Sequence, residues 1–198
     1  MIKIPFFVPP MELISLWKGG FTQEECDKIV KLCELAEFQK ARMGDAGNTQ
    51  VDLKYRDSDI TWLMPSEKTH WVFERMANIA SQLNHQVFEL DLDRFDGFQY
   101  SKYKEGGHYD VHLDSSSMPD RNGLFRKLSF SLQLTDPAEY EGGELEISTD
   151  GRHTEMQKFK LAKGDMVVFY SHLAHAVRPV TKGTRKALVT WALGDKIR

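Results

Sequence analysis

Residues 96–193 break into short runs of alternating polarity, and this restricts the fold more than any other feature of the chain. The runs at 96–103, 109–113, 127–135, 143–148, 157–161, 166–170, 174–180 and 186–193 are separated by clusters of Gly, Pro, Asp and Ser. Strands of that length, punctuated that often, predict a β-sandwich or jelly roll. Leu128-Ser-Phe-Ser-Leu-Gln-Leu134 alternates without a break. Side chains on a strand point to opposite faces in turn. Leu128, Phe130, Leu132 and Leu134 therefore form an apolar face, and Ser129, Ser131, Gln133 and Thr135 a polar one. An antiparallel wall with its polar face toward solvent fits this pattern, a wet cavity being the alternative.

Upstream the periodicity is helical. Thr22-Gln-Glu-Glu25 has the form of a capping box, in which each side chain satisfies an orphan backbone donor. The spacing of Cys26, Ile29, Val30, Cys33, Leu35 and Ala36 predicts an amphipathic helix to about Phe38. Residues 40–59, with Gly44, Gly47 and Asn48, read as a loop holding at most a short strand. Ser66 is placed to cap a second helix over 67–83, with Trp71, Phe73, Met76, Ile79, Ala80 and Leu83 available for burial. Helices first and strands afterwards predict a single α+β domain, mainly β, over residues 1–198. Helical support would occupy about 20–85 and the jelly-roll core about 96–195.

Composition narrows the functional classes. A net charge of −3 and a pI near 6.2 argue against a nucleic-acid partner or an anionic membrane surface. Cys26 and Cys33 lie two helical turns apart, roughly 10 Å, beyond disulfide reach, and read as core thiols. Pro5, Pro9 and Pro10 interrupt the apolar N-terminus, so neither a signal peptide nor a membrane span is expected, and a reduced, cytoplasmic location is.

Chemistry is concentrated in Tyr103-Lys-Glu-Gly-Gly-His-Tyr-Asp-Val-His112-Leu-Asp114. On a strand, His112 and Asp114 would share a face, and His108 with them, lining the site without binding metal. A further histidine from a distant strand, His175, would complete a set of two histidines and one carboxylate. Such a set occupies one face of an octahedral ferrous ion and leaves positions open. His-x-Asp alone is a weak signal. His70, His85 and His153 lack any partner pattern and read as surface residues.

The longer pattern is specific. Tyr103-x-x-Gly106-x-x-Tyr109-x-x-His112-x-Asp114 is joined by His175, Val177, Pro179, Val180, Arg185 and Trp191. Arg56-Asp-Ser58 with Trp62-Leu63, and Asp136-Pro137 with Glu141-Gly-Gly-Glu-Leu145, complete it. Over residues 20–195 the chain resembles the prolyl 4-hydroxylase-like branch of the Fe(II)/2-oxoglutarate-dependent oxygenases. The resemblance implies a double-stranded β-helix, a jelly-roll variant, with N-terminal helices supporting it. It implies His112, Asp114 and His175 as iron ligands and as the catalytic centre. His172 is the rival for the third ligand but lacks the residues that follow His175 in the family frame.

Arg185, ten positions after His175, would hold the far carboxylate of 2-oxoglutarate, with Tyr103 reaching the same group. Lys186 would face the opposite way, and Arg178 and Lys182 would belong to a solvated loop. Tyr109 is left between a role in the site and barrel packing, and residues 115–126 between a lid and an ordinary connection.

The implied reaction is hydroxylation of an unactivated C–H with release of succinate and carbon dioxide, ascorbate serving as reductant. A prolyl residue of a protein or peptide is the first substrate reading, and a free amino acid or small molecule the second. A domain that binds metal and 2-oxoglutarate as a sensor, without turnover, is the reading from another class. The oligomeric state is not legible.

Overall fold

The computed structural model describes residues 12–42, 50–115, 119–150 and 155–195. His153, the three N-terminal prolines, and Gly44, Gly47 and Asn48 of the expected loop lie outside these residues. In chain order the elements are β1 (Ile14–Trp17), α1 (Gln23–Glu34), β2 (Gln39–Lys40), β3 (Arg56–Asp57), β4 (Asp59–Leu63) and α2 (His70–Leu83). A π-helical turn, Asn84–Phe88, follows α2. Then come β5 (Arg94–Tyr103), β6 (His108–His112), β7 (Phe125–Gln133), β8 (Tyr140–Gly142), β9 (Leu145–Ser148) and β10 (Met156–Phe159). The last four are β11 (Met166–Tyr170), β12 (His175–Val177), β13 (Val180–Gly183) and β14 (Arg185–Gly194).

Seven strands form a large antiparallel sheet in the order β1-β11-β7-β14-β5-β4-β2. Five form a smaller sheet, β10-β9-β12-β6-β3, and β13 pairs with β8. This is the jelly roll that the strand pattern predicts, with helices supporting its large sheet. The expected run at 174–180 is two strands, β12 and β13, and Lys182 lies on β13 rather than in a loop. Arg178 lies exposed in the connection between β12 and β13, as expected, and its Nε donates to the buried carboxylate of Glu146 at 2.7 Å.

The capping box forms as the sequence requires. Glu25 N–H donates to Thr22 Oγ1 at 3.2 Å, and Thr22 N–H donates to Glu25 Oε2 at 2.9 Å. Both carboxylate oxygens of Glu25 also accept from Arg75 of α2 at 2.8 Å, which ties the two helices together. α1 ends at Glu34, four residues short of the expected Phe38. There the Glu34 carboxylate accepts from Tyr100 Oη at 2.8 Å and Lys102 Nζ at 2.6 Å, and the chain turns to deliver β2 to the edge of β4. α2 starts at His70, not residue 67, because residues 66–69 form a turn in which Thr69 Oγ1 donates to Met64 O. Cys26 and Cys33 are buried and free, and burial pushes both thiols up to about 12.

The large sheet has an apolar outer face and a polar inner one. Phe98 and Tyr100 of β5, and Leu128, Phe130 and Leu132 of β7, join Cys26, Ile29, Val72, Met76 and Ile79 of the helices in one core. Gln99 and Ser101 of β5, with Ser129 and Ser131 of β7, line an internal cavity instead. The expectation that the polar face of β7 meets solvent is therefore corrected: Ser129, Ser131, Gln133 and Thr135 are all buried. The second sheet closes over that face and encloses a cavity, which sequence alternation by itself cannot distinguish from open water. No helix among the described residues is long and apolar enough to cross a membrane.

Two substitutions measure how the helices and sheet are held. Leu132→Ala, at a fully buried position under the helices, should lower unfolding free energy in urea by about 2–5 kcal/mol. Thr22→Ala, which removes half of the capping box, should cost only about 0.5–2 kcal/mol.

Candidate metal centre and cosubstrate pocket

His112 and His175 face one another because β6 and β12 pair antiparallel with these two residues in register. The register then slips: Val177 pairs with Tyr109, so two steps along β12 span three along β6. This bulge reverses the alternation on β6. It brings Tyr109 to the same side as His112, their rings stacked with centroids 3.4 Å apart. It also removes His108 from the face it was expected to share. His108 does not line the cavity and is bonded to the backbone at Gly106 and Lys54.

Asp114 lies beyond the end of β6, so strand periodicity does not place it. Its N–H donates to Ser171 O at 3.1 Å, and Ser115 N–H donates to the same oxygen at 2.9 Å. The turn between β11 and β12 therefore holds Asp114 against the two histidines. The ligand atoms of His112, Asp114 and His175 all lie within 4.8 Å of one another. His175 Nε2 is 3.3 Å from Asp114 Oδ2, and His112 Nε2 is 3.8 Å from Asp114 Oδ1.

Two details suit this trio to a metal ion. Each histidine turns Nδ1 to the carbonyl two residues earlier, at 2.8 Å for His112 (to Asp110) and 3.0 Å for His175 (to Leu173). Donation from Nδ1–H fixes the tautomer in which Nε2 offers a lone pair toward Asp114. Ser129 Oγ donates to Asp114 Oδ2 at 2.7 Å and lies 2.9 Å from Ser171 Oγ, so the carboxylate is oriented from behind. The two serines were not singled out in the sequence. The only signal for Ser129 was the polar half of an alternating strand; Ser171, in the turn after β11, carried none, and the β7–β11 pairing brings the two together.

The electrostatics agree. Burial pushes His112 down to about 3, and the neighbouring His175 adds to that, so His112 is neutral. Burial alone would raise the Asp114 carboxyl, but His175, His112 and the Ser129 hydroxyl outweigh it and hold the group ionised. Burial would likewise depress His175, and the adjacent Asp114 reverses the sign and raises it. His172 is exposed and borders Tyr170, away from the trio.

The trio opens on a cavity of about 640 Å³. Arg185 and Tyr103, paired across β14 and β5, stand on its wall, with the Arg185 guanidinium carbon 5.7 Å from the Tyr103 ring centre. Arg185 is 3% exposed and makes no ion pair among the described residues. A guanidinium so enclosed calls for an anion from outside the chain, and a dicarboxylate fits that need. Lys186 points the other way, its Nζ 3.8 Å from Glu34 of α1. Arg56 is a second buried cavity cation; its Nε donates to Ser58 Oγ at 3.0 Å and it lies over the Tyr109 ring at 4.3 Å. Trp191, also on the wall, carries Arg126 stacked 3.7 Å above it, and its indole N–H finds no acceptor among the described residues. The connection at 115–126 is only partly described; residues 119–124 form a turn in which Asp120 Oδ1 accepts from Asn122 and Leu124 N–H.

Residues 98–193 match the family model of the 2OG-Fe(II) oxygenase superfamily. A PKHD-type hydroxylase of Prochlorococcus marinus is 42% identical over 95 residues, covering 48% of this chain and 40% of that protein. One from Aliarcobacter butzleri is 44% identical over 96 residues, covering 46% and 41%. The matched part thus spans about two fifths of the length of these relatives. Among solved structures, a Pseudomonas putida prolyl-4-hydroxylase superposes with a TM-score of 0.70 at 22% identity, covering 93% of each chain. A Trichoplax adhaerens prolyl hydroxylase, solved with a hypoxia-inducible-factor peptide fragment, superposes with a TM-score of 0.72 at 17% identity, covering 91% of this chain and 83% of that one. These likenesses show the fold.

The geometry generates a clear expectation for the ligands. Asp114→Ala or His175→Ala should abolish Mn(II) binding in calorimetry, whereas His172→Ala should bind as the unaltered protein does. Equal loss at His172 would move the third ligand to that residue.

Proposed function

We propose that this chain, a member of the 2OG-Fe(II) oxygenase superfamily through residues 98–193, is a dioxygenase that hydroxylates a prolyl residue of a protein or peptide. The observation that carries the proposal is the meeting, in one cavity, of a buried His-Asp-His trio and a buried arginine without a counter-charge among the described residues. In this reading His112, Asp114 and His175 hold Fe(II), and Arg185, with Tyr103 beside it, holds the far carboxylate of 2-oxoglutarate. Iron and 2-oxoglutarate together supply the oxidative chemistry, which couples oxygen to C–H hydroxylation and releases succinate and carbon dioxide.

The chain's own part is positioning. The Nδ1–carbonyl bonds keep both histidine Nε2 atoms turned to the metal site, and Ser129 holds the carboxylate. Phe169, opposite Ser129 on the cavity face of the large sheet, packs 4.8 Å from the His175 ring and shields that side of the site from bulk water. A peptide substrate is supported by the fold shared with prolyl hydroxylases. We read the chain as one catalytic domain, with ascorbate as its assay reductant. Two buried free thiols support a reducing compartment.

Anaerobic addition of Fe(II) and then 2-oxoglutarate should produce a visible charge-transfer band that needs both. Exposure to oxygen with a proline-rich peptide should yield succinate and a peptide heavier by one oxygen at proline. A band without product from any proline-containing peptide would redirect the search to small molecules. No band would leave the cosubstrate assignment without support. Arg185→Ala should weaken 2-oxoglutarate binding by about 2–5 kcal/mol while leaving Mn(II) affinity nearly unchanged.

A further inference from the structure

His108 stands four residues before His112 on β6, yet the bulge turns it out of the cavity. Its Nδ1 lies 3.0 Å from Gly106 O, and its Nε2 lies 3.0 Å from Lys54 O. A neutral imidazole has one N–H, so one of its nitrogens would present a lone pair to a carbonyl oxygen. Only the imidazolium donates to both.

What His108 grips is the arm at 52–57. That arm begins with a turn in which Arg56 N–H donates to Asp52 O at 2.8 Å, and its last two residues, β3, are the short edge of the smaller sheet. The arm supplies two cavity residues. Tyr55 Oη donates to Val111 O at 2.7 Å, and Tyr55 O accepts from Asp110 N–H at 2.8 Å. The Tyr55 ring meets Tyr109 edge-on at 5.9 Å, and Arg56 covers the other ring contact at 4.3 Å. Tyr109 in turn stacks on His112. The β3 ladder, Arg56 against Tyr109 and Asp57 against His108, and the two Tyr55 bonds join the later part of this arm to β6; the His108 bond to Lys54 O extends that pairing to the start of the arm.

We propose that His108 is a positioning residue that acts as an imidazolium: it clamps the arm at 52–57 onto β6 and so sets Tyr55 and Arg56 against Tyr109 at the cavity wall. Loss of its proton releases one end of the clamp and loosens that wall. The surroundings favour the charged form. The Lys54 carbonyl raises its pKa most, burial opposes, and the Gly106 carbonyl, Asp110 on its own strand and Asp57 on β3 add to the rise. The other charged groups nearby are engaged elsewhere: Lys104 with Asp59, Lys40 with Asp57, and Glu105 with the Gly183 N–H. Because the folded pKa lies above the unfolded one, the clamp is complete below the ordinary histidine value and is lost as pH rises through the raised one. The inference concerns the wall, not the reaction, and stands or falls independently of the hydroxylase reading.

Hydrogen–deuterium exchange of the full chain tests it, followed between about pH 6 and pH 9 and corrected for intrinsic exchange. In the unaltered protein, protection of segments 52–57 and 108–112 should step down as pH rises, while α2 stays constant. In His108→Gln, which keeps a single donor nitrogen and no charge, these segments should exchange about tenfold faster at low pH and show no step. Equal protection in the two proteins at low pH, or a flat profile in the unaltered one, would sink the proposal. Should His108→Gln not fold, ¹⁵N shifts of the unaltered His108 ring decide: two protonated nitrogens at the ordinary histidine value support the clamp, and one neutral tautomer there overturns it.

Discussion

The site depends on one strand pairing, β6 against β12. It sets His175 opposite His112, sixty-three positions away in the chain, and its bulge decides which of the neighbouring side chains see the cavity. Without the slip at Val177, Tyr109 would face away and His108 inward. With it, Tyr109 stacks on His112 while His108 is freed to hold the outer arm. A single extra residue in one strand therefore separates the residues that touch the site from those that brace it.

The large sheet provides a rigid back for this pairing. Its outer face is packed on the two helices, which are joined through Glu25 and Arg75, so β5, β7 and β14 have little freedom to shift. Their inner faces then present side chains in ordered rows: Tyr103 beside Arg185, Gln99 beside Val189, Ser131 beside Val189 and Ser129 beside Trp191. Arg185 and the serine that orients Asp114 thus belong to the same wall. Burial makes both worth having, since a guanidinium or a carboxylate in a dry site interacts far more strongly than one in water.

Charge at the site is divided between a carboxylate at one end of the cavity and a guanidinium at the other. Asp114 stays ionised between two histidines of opposite tendency, His112 neutral and His175 raised. Arg185 sits enclosed with no carboxylate among the described residues to meet it. Under the proposed function a divalent metal would complement the first end and a dicarboxylate the second.

Much of this was legible in the residues. Strand spacing indicated a jelly roll, the capping box marked the start of α1 to the residue, and the long motif from Tyr103 to Trp191 picked out the side chains that the cavity gathers. Local signals suffice there because period-two alternation and helix capping are properties of neighbouring residues. The end of α1, the start of α2, the inward turn of Ser129 and Ser131 and the outward turn of His108 were not legible. The start of α2 turns on the side-chain geometry of Thr69 in a local turn, and each of the others depends on a partner far along the chain: β4 recruiting β2, the smaller sheet covering the polar face of β7, or β12 slipping against β6. The sequence by itself determined which residues could alternate, cap and ligate. Only the tertiary structure decided which face became a cavity and which histidine met His112 and Asp114, because burial and register are set by whatever packs opposite.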